Sequence, residues 1–311
     1  MAVRTPSDIT EAVAALKAGG LVILPTETVY GLGADAGSAE AVARLYEAKG
    51  RPRFNPLIAH VADREGAERV AVLDERARRL ADAFWPGPLT LVAPVRDGGG
   101  VCDLARAGLD TVAVRVPAHP LTRMLLDAFG GPVVAPSANR SGRPSPTNFA
   151  DAVEETGFAA AAAMDGGPCP VGLESTVVAC LDGPLRLLRP GGMDRAAIER
   201  IVGPLAEAET DAKRSPGRLA LHYAPDAPVR LEASGPRQGE AYLAFGPAPE
   251  GPLVWNLSAT GEVREAAANL FAYLRAADRA KPSAIAVAPI PETGLGEAIN
   301  DRLRRAAGYV G

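Results

Sequence analysis

The sequence predicts an α/β protein of two domains, on three observations. Short apolar runs such as Leu21-Val22-Ile23-Leu24 and Pro132-Val133-Val134-Ala135 alternate with capped stretches of helical period. A polar, proline-punctuated stretch at about 207–226 separates a longer first part from a shorter second one. The 311 residues suffice for two cores, and with 47% of them apolar neither part has to be disordered. The expected divisions are a first domain at 1–206, a linker at 207–228 and a smaller α/β domain at 229–311.

Taken in order, Asp8 and Glu11 form a capping pair ahead of Ile9, Val13 and Leu16, and Gly19-Gly20 ends that helix. The strand at 21–24 follows, and Pro25-Thr26-Glu27-Thr28-Val29-Tyr30-Gly31-Leu32-Gly33 reads as the loop on which it leaves the core. Ser38 caps a helix with Val42, Leu45 and Tyr46 on one face. That helix delivers Lys49 and Arg51 on a proline-stiffened loop, where deleting a cation should cost little stability. Residues 57–61 alternate as a strand, and 74–84 read as a helix stopped by Trp85-Pro86-Gly87-Pro88. Strands at 89–95 and 111–116 flank a turn at Gly98-Gly99-Gly100, and a helix over about 118–129 leads to the strand at 132–135. The segment 136–147 is too rich in Pro, Ser and Asn for a regular element and reads as an ordered loop before a helix from Asn148. The alanine run at 159–163 reads only as a tightly packed element. Residues 174–181 and 185–188 flank Asp182-Gly183 as a hairpin, and a helix at 194–202 closes the first domain. In the second domain, strands near Val229, at 241–245 and at 285–288 alternate with helices at about 263–278 and 297–307, a βαβ-like pattern.

Charge and motifs exclude several classes. The net charge is −4, and from residue 215 onward 10 basic residues balance 10 acidic ones, so no basic domain exists to grip nucleic acid through its phosphates. Met1-Ala2-Val3-Arg4-Thr5 lacks an apolar signal core, and no later run approaches the roughly 20 apolar residues of a membrane span. The expectation is a cytoplasmic protein. Cys102, Cys169 and Cys180 show no C-x-x-C spacing and are expected as free thiols. His60, His119 and His222 form no H-E-x-x-H, so any metal is expected to arrive with a substrate. Neither a Walker loop nor a G-x-S-x-G nucleophile motif occurs.

What remains is a recurrence of strand ends bearing hydroxyls, amides and cations: Thr26, Thr28, Lys49, Arg51, Arg115, Ser137, Asn139, Ser175, Thr176 and Arg189. Converging guanidiniums and a lysine suit a polyanionic ligand. Each also has a plainer reading. Glu27 pairs with Arg51 for structure alone, His60 is a hydrogen-bonded core residue, and Phe84 and Trp85 simply pack.

Five ordered motifs go further. Thr26-Glu27-Thr28-Val29-Tyr30-Gly31-Leu32, Lys49-x-Arg51-Pro52-x-x-Asn55-Pro56-Leu57, Phe84-Trp85-Pro86-Gly87-Pro88-Leu89-Thr90, Ala135-Pro136-Ser137-Ala138-Asn139 and Glu174-Ser175-Thr176-Val177 together resemble the YrdC-like family of threonylcarbamoyl-AMP synthases. Ser215-Pro216-Gly217, His222-Tyr223-Ala224-Pro225 and Gly294-Leu295-Gly296-x-Ala298-Ile299-x-Asp301-Arg302-Leu303 resemble its longer, two-domain branch. The resemblance implies a YrdC-like twisted mixed-sheet domain plus a smaller C-terminal Rossmann-like α/β domain. It implies that L-threonine, bicarbonate and ATP, with Mg²⁺ on the phosphates, give threonylcarbamoyl-AMP, pyrophosphate and water. The product would pass to a separate tRNA threonylcarbamoyl-transferase complex that makes threonylcarbamoyladenosine.

By the same resemblance Lys49, Arg51, Ser137 and Asn139 form the reaction centre. Arg51, Asn55, Thr111, Asn139, Ser145, Thr147, Arg189 and Tyr223 contact ATP, while Thr28, Tyr30, His60, Arg115, Ser137 and Ser175 hold threonine or its carbamate. No metal ligand and no covalent nucleophile is implied. The linker departs from the pattern: Arg218-Leu219-Ala220-Leu221 stands where the branch usually has Met and basic residues, which moves the positive charge of a closing lid to Arg218. The rival reading, a tRNA- or double-stranded-RNA-binding module, is opposed by the near-neutral charge. A carbamoyl-transfer domain of hydrogenase maturation proteins shares the fold, but three scattered cysteines cannot supply the zinc fingers that accompany it.

Overall fold

In the computed structural model, which describes residues 6–207 and 223–308, the first domain is built on one ten-stranded mixed sheet. Asp8 accepts from the Glu11 amide to start α1 (Ile9–Lys17), which leads to β1 (Leu21–Leu24). β2 (Gly31–Asp35) returns antiparallel to β1. Ser38 caps α2 (Ala39–Lys49), and Gly50 ends it in the left-handed conformation at φ 58°. Then come β3 (Ile58–His60), α3 (Arg64–Val70), α4 (Glu75–Phe84), β4 (Leu89–Pro94), β5 (Thr111–Arg115), α5 (Pro120–Phe129) and β6 (Val133–Val134). Asn148 caps α6 (Phe149–Thr156), followed by β7 (Ala160–Ala163), β8 (Thr176–Ala179), β9 (Arg186–Arg189), α7 (Arg195–Val202) and β10 (Ala206–Glu207). The strand order is β10-β9-β8-β4-β5-β3-β6-β2-β1-β7. Its parallel pairs are β1/β7, β3/β5, β4/β8 and β9/β10.

Three elements of this domain differ from the sequence expectation. Gly31 and Gly33, read as loop residues, lie in β2 because neighbours leave no space for a side chain: a Cβ on Gly33 would sit 2.7 Å from Leu24 Cδ2. The alanine run forms β7, an edge strand whose small side chains let α1 and α6 approach β1. Asp63 caps the short α3, which sequence periodicity did not mark.

The central strands bury two faces. On one, Leu89, Leu91, Val112 and Val114 pack against Ala77 and Leu80 of α4 and Ile198 of α7. On the other, Ile58, Val92, Ala113, Val177 and Ala179 form a smaller apolar floor. Strand alternation puts Thr111, Ala113 and Arg115 on that second side, with Ile58 and His60 beside them on β3.

The second domain carries β11 (Val229–Arg230), β12 (Ala241–Ala244), β13 (Val254–Asn256), α8 (Val263–Arg279), β14 (Ile285–Val287) and α9 (Leu295–Ala306). Its sheet, ordered β11-β14-β12-β13, is parallel throughout; β13 was not anticipated from the sequence. α8 buries Ala266, Ala267, Leu270, Phe271 and Leu274 against Leu243, Ile285 and Val287. Val29, Leu173 and Tyr223 join that same core, so an apolar seam unites the two domains. Two buried ion pairs cross it, Arg275 to Glu155 at 3.1 Å and Arg302 to Glu174 at 2.9 Å. Among the described residues no helix is long and apolar enough to cross a membrane. Ser215-Pro216-Gly217, Arg218 and His222, on which the lid expectation rests, lie outside the described residues.

Candidate active site

The last turn of α2 carries Lys49 inward, not out onto a loop. Its side chain is buried, and Nζ donates to the Ser137 carbonyl at 2.5 Å and to the Asn139 carbonyl. Burial, then the neighbouring Arg51 charge, lowers its pKa well below the usual lysine value. Arg51 donates to the carbonyls of Asn55 (3.4 Å) and Pro56 (3.2 Å), and among the described residues no carboxylate pairs with it. Burial brings its pKa down to about 10.

Across the floor, the β1–β2 loop is folded by Thr26. Its hydroxyl donates to the Val29 carbonyl at 2.6 Å and accepts the Thr28 and Val29 amides at 3.1 Å each. This places Thr28 Oγ1 3.0 Å from Arg115 Nη1 and Glu27 Oε1 2.6 Å from Arg115 Nη2. Glu27 therefore pairs with Arg115 and not with Arg51, because its loop lies over the C-terminal end of β5; its other oxygen accepts the Ala118 amide at 3.0 Å. His60 lies beside Arg115 in the parallel β3/β5 pair. Burial, and after it the Arg115 charge, lowers the imidazole pKa to about 3, so it is neutral at physiological pH.

On β8 and β9, Arg189 donates Nε and Nη2 to the Ser175 carbonyl at 3.2 and 2.8 Å. The Ser175 hydroxyl lies 2.7 Å from that of Thr90. Glu174 is buried beside them. Burial alone would raise its pKa, but the Arg302 and Arg189 charges and hydrogen bonds from Ser145 and Arg302 outweigh it and hold the carboxyl at about 2. Tyr223, at φ 64°, packs its ring 5.4 Å from that of Phe271.

These segments wall one small hollow of about 50 Å³ that opens to solvent. Thr28, Arg51, His60, Arg115, Ser137, Ser175, Arg189, Glu174 and Tyr223 line it, with Val29, Leu57 and Ile58 between them. Three guanidiniums from separate segments thus face a single space. Lys49 and Asn139 stand behind Ser137, and Asn55 stands beside Arg51. Asn55 Oδ1 and Asn139 Oδ1 are buried without a hydrogen-bond partner among the described residues.

Other expected residues are placed differently. The Tyr30 hydroxyl donates to the Gly167 carbonyl at 2.8 Å and accepts the Gly166 amide at 3.0 Å, so Tyr30 fixes a neighbouring turn and does not line the hollow. Ser145 commits its hydrogen to Glu174. Thr147 is buried, its carbonyl holding the Cys169 amide. Thr111 borders a separate cleft with Asp74, Arg76 and Asp182, at the opposite end of β5 from Arg115.

Glu27, Thr90 and Glu174 were not singled out as site residues, although each stands within a motif that was. Their signal was a carboxylate or hydroxyl next to residues already assigned. Among the described residues no group of three or more His, Cys, Asp or Glu side chains clusters as a metal centre.

A family model described as telomere recombination matches residues 14–191, and one described as the C-terminal domain of threonylcarbamoyl-AMP synthase matches residues 193–308. The chain is 38% identical to the threonylcarbamoyl-AMP synthase of Bacillus subtilis over 96% of its own length and 93% of the relative's. It is 41% identical to that of Pyrococcus abyssi, over 94% and 92%. The crystal structure of P. abyssi Sua5 complexed with L-threonine matches it with a TM-score of 0.88 at 39% identity, over 97% of this chain and 94% of that one. Two adjoining family models and relatives aligned along nearly the whole length establish that the chain belongs to the two-domain threonylcarbamoyl-AMP synthase family.

Proposed function

We propose that the protein joins L-threonine, bicarbonate and ATP into threonylcarbamoyl-AMP, releasing pyrophosphate and water. The observation that carries this reading is the convergence of Arg51, Arg115 and Arg189 on one hollow whose walls also hold Thr28, His60, Ser137 and Ser175. Arg115 is already balanced by Glu27, so it acts as a fixed fork that, with Thr28 and Ser175, orients the threonine carboxylate and carbamate. Neutral His60 offers a hydrogen bond there without adding charge. Arg51 and Arg189 take the phosphates, and Lys49 holds the segment from Ser137 to Asn139 against them.

Thr111 fits the same scheme. It shares a face of β5 with Ala113 and Arg115, four residue steps or about 13 Å apart, roughly the length of a nucleotide. The apolar floor of Ile58, Val92, Ala113 and Val177 between them suits a base and ribose.

The threonine amine attacks the bicarbonate carbon and water is lost. A carbamate oxygen then attacks the α-phosphorus in line, and pyrophosphate leaves. Three anionic reactants repel one another in water, and the chain offsets this by proximity and fixed positive charge rather than by a nucleophile. Mg²⁺ enters as part of the ATP substrate. The two carboxylates nearest the reactants, Glu27 and Glu174, are already held by Arg115 and Arg302, which leaves the ion to the phosphate oxygens. The product is consumed by a separate tRNA-modifying transferase in the cytoplasm.

Pyrophosphate release from ATP is expected only when threonine and bicarbonate are both present. Release that persists without threonine would overturn the reading.

A further inference from the structure

Glu174 is an unexpected wall for a hollow that takes anions. Its side chain borders the space alongside Arg189 and Ser175. A bare carboxylate there would repel a phosphate group across a few ångströms of low-dielectric interior. Its Oε1 accepts from Ser145 and its Oε2 accepts from Arg302 Nε at 2.9 Å.

Arg302 belongs to α9 of the second domain and is 1% exposed. Nη2 donates to the Pro190 carbonyl at 3.0 Å, in the turn immediately after Arg189, and Nη1 donates to Asp301 Oδ2 at 2.6 Å. Its Cζ lies 5.2 Å from the centroid of the Tyr223 ring. One buried guanidinium thereby meets the carboxylate and the aromatic ring that wall the phosphate side, and the backbone next to Arg189, yet it does not itself border the hollow.

We propose that Arg302, reaching in from the second domain, is a positioning residue for the nucleotide: it cancels Glu174 and fixes Tyr223, so that the field of Arg51 and Arg189 is directed at the phosphates. This rests on the synthase reading above. On the threonine side, Thr28, Arg115 and Glu27 receive none of these contacts, and Ser175, next to Glu174, is held by Thr90 and Arg189 rather than by Arg302. The two substrates should therefore respond differently to loss of Arg302. A merely structural residue would weaken both alike.

The experiment measures threonine- and bicarbonate-dependent pyrophosphate release by the full-length chain. Arg302→Met keeps most of the buried volume without the charge and is expected to raise the KM for ATP at least tenfold, with the KM for threonine within about twofold. Adding Glu174→Gln, which removes the uncompensated carboxylate, is expected to bring the ATP KM most of the way back. Arg302→Lys, which retains a cation, is expected to raise the ATP KM less than tenfold with the threonine KM within about twofold, and this is read against the native enzyme alone if the Met variant does not fold. An unchanged ATP KM, equal losses for both substrates, or no recovery with Glu174→Gln would overturn the proposal. A native chain without turnover would instead overturn the synthase reading.

Discussion

Lys49 shows how far a single residue can be read from sequence. Its importance was legible from its place in a motif, but its environment was not. A lysine followed by Gly, Arg and Pro reads as a solvated loop cation, whereas the helix runs on to Lys49 and buries its amine under two carbonyls. The expectation that it can be deleted at little cost is therefore corrected, since removal would leave buried acceptors without a donor. His60 is open to either a core or a ligand reading, and its ring lies in the wall of the hollow. It also sets an acid limit. With the pKa lowered from 6.5 in the unfolded chain to about 3 in the folded one, the unfolded state binds the extra proton between those values. The stability contributed by the neutral ring is complete above pH 6.5 and is lost as pH falls toward 3, at about 1.4 kcal/mol per pH unit. Urea melts between pH 6.5 and 4.5 should show the native chain losing roughly 2 kcal/mol more than His60→Gln. Equal slopes would exclude this role. The window stops there because Glu174, held at about 2, adds its own loss of the same sign below 4.5.

At the scale of elements, capped helices and apolar strands were the legible part. Ser38, Asp74, Asn148 and Asp194 each accept an amide hydrogen bond at the helix start the sequence marked. β2 and β7 were hidden for one physical reason: glycine and alanine carry little β-propensity, and their presence in a strand reflects the closeness of neighbours that sequence does not display. The pairing of Glu27 was hidden similarly, because it depends on which strand end the β1–β2 loop covers. On the function proposed above, β5 is the element that separates the two substrates. Ala113→Leu should fill the floor between Thr111 and Arg115, raising the KM for ATP several-fold while threonine binding by calorimetry stays within about twofold. Weakened threonine binding with unaltered ATP affinity would show that the base lies elsewhere.

Across the whole molecule, the presence of two domains was legible as a change of pattern along the chain, but their dependence on each other was not. Arg275 and Arg302 are remote in sequence from Glu155 and Glu174, and only the fold reveals them as partners. Val29 and Leu173 complete the second domain's core, and Gly172 lies where a Cβ would come within 2.4 Å of the Ala267 carbonyl of α8. Such a seam predicts one cooperative unfolding transition. The chain has two tryptophans, Trp85 in the first domain and Trp255 in the second, so Trp85→Phe and Trp255→Phe each leave one domain's reporter. In guanidinium, the two fluorescence midpoints should coincide once each variant's own stability change has been measured by circular dichroism. Separate midpoints would mean that the domains unfold independently.

A buried arginine of the seam also limits how the protein can be recombined. A chimera that joins residues 6–207 to a foreign second domain would keep Arg140 and Arg143 on Glu155 but would inherit Glu174 as an interior charge, and it would tolerate that charge only if the donor presents a guanidinium there. Exchange among relatives is thereby confined to donors that bring this arginine, however closely their backbones agree.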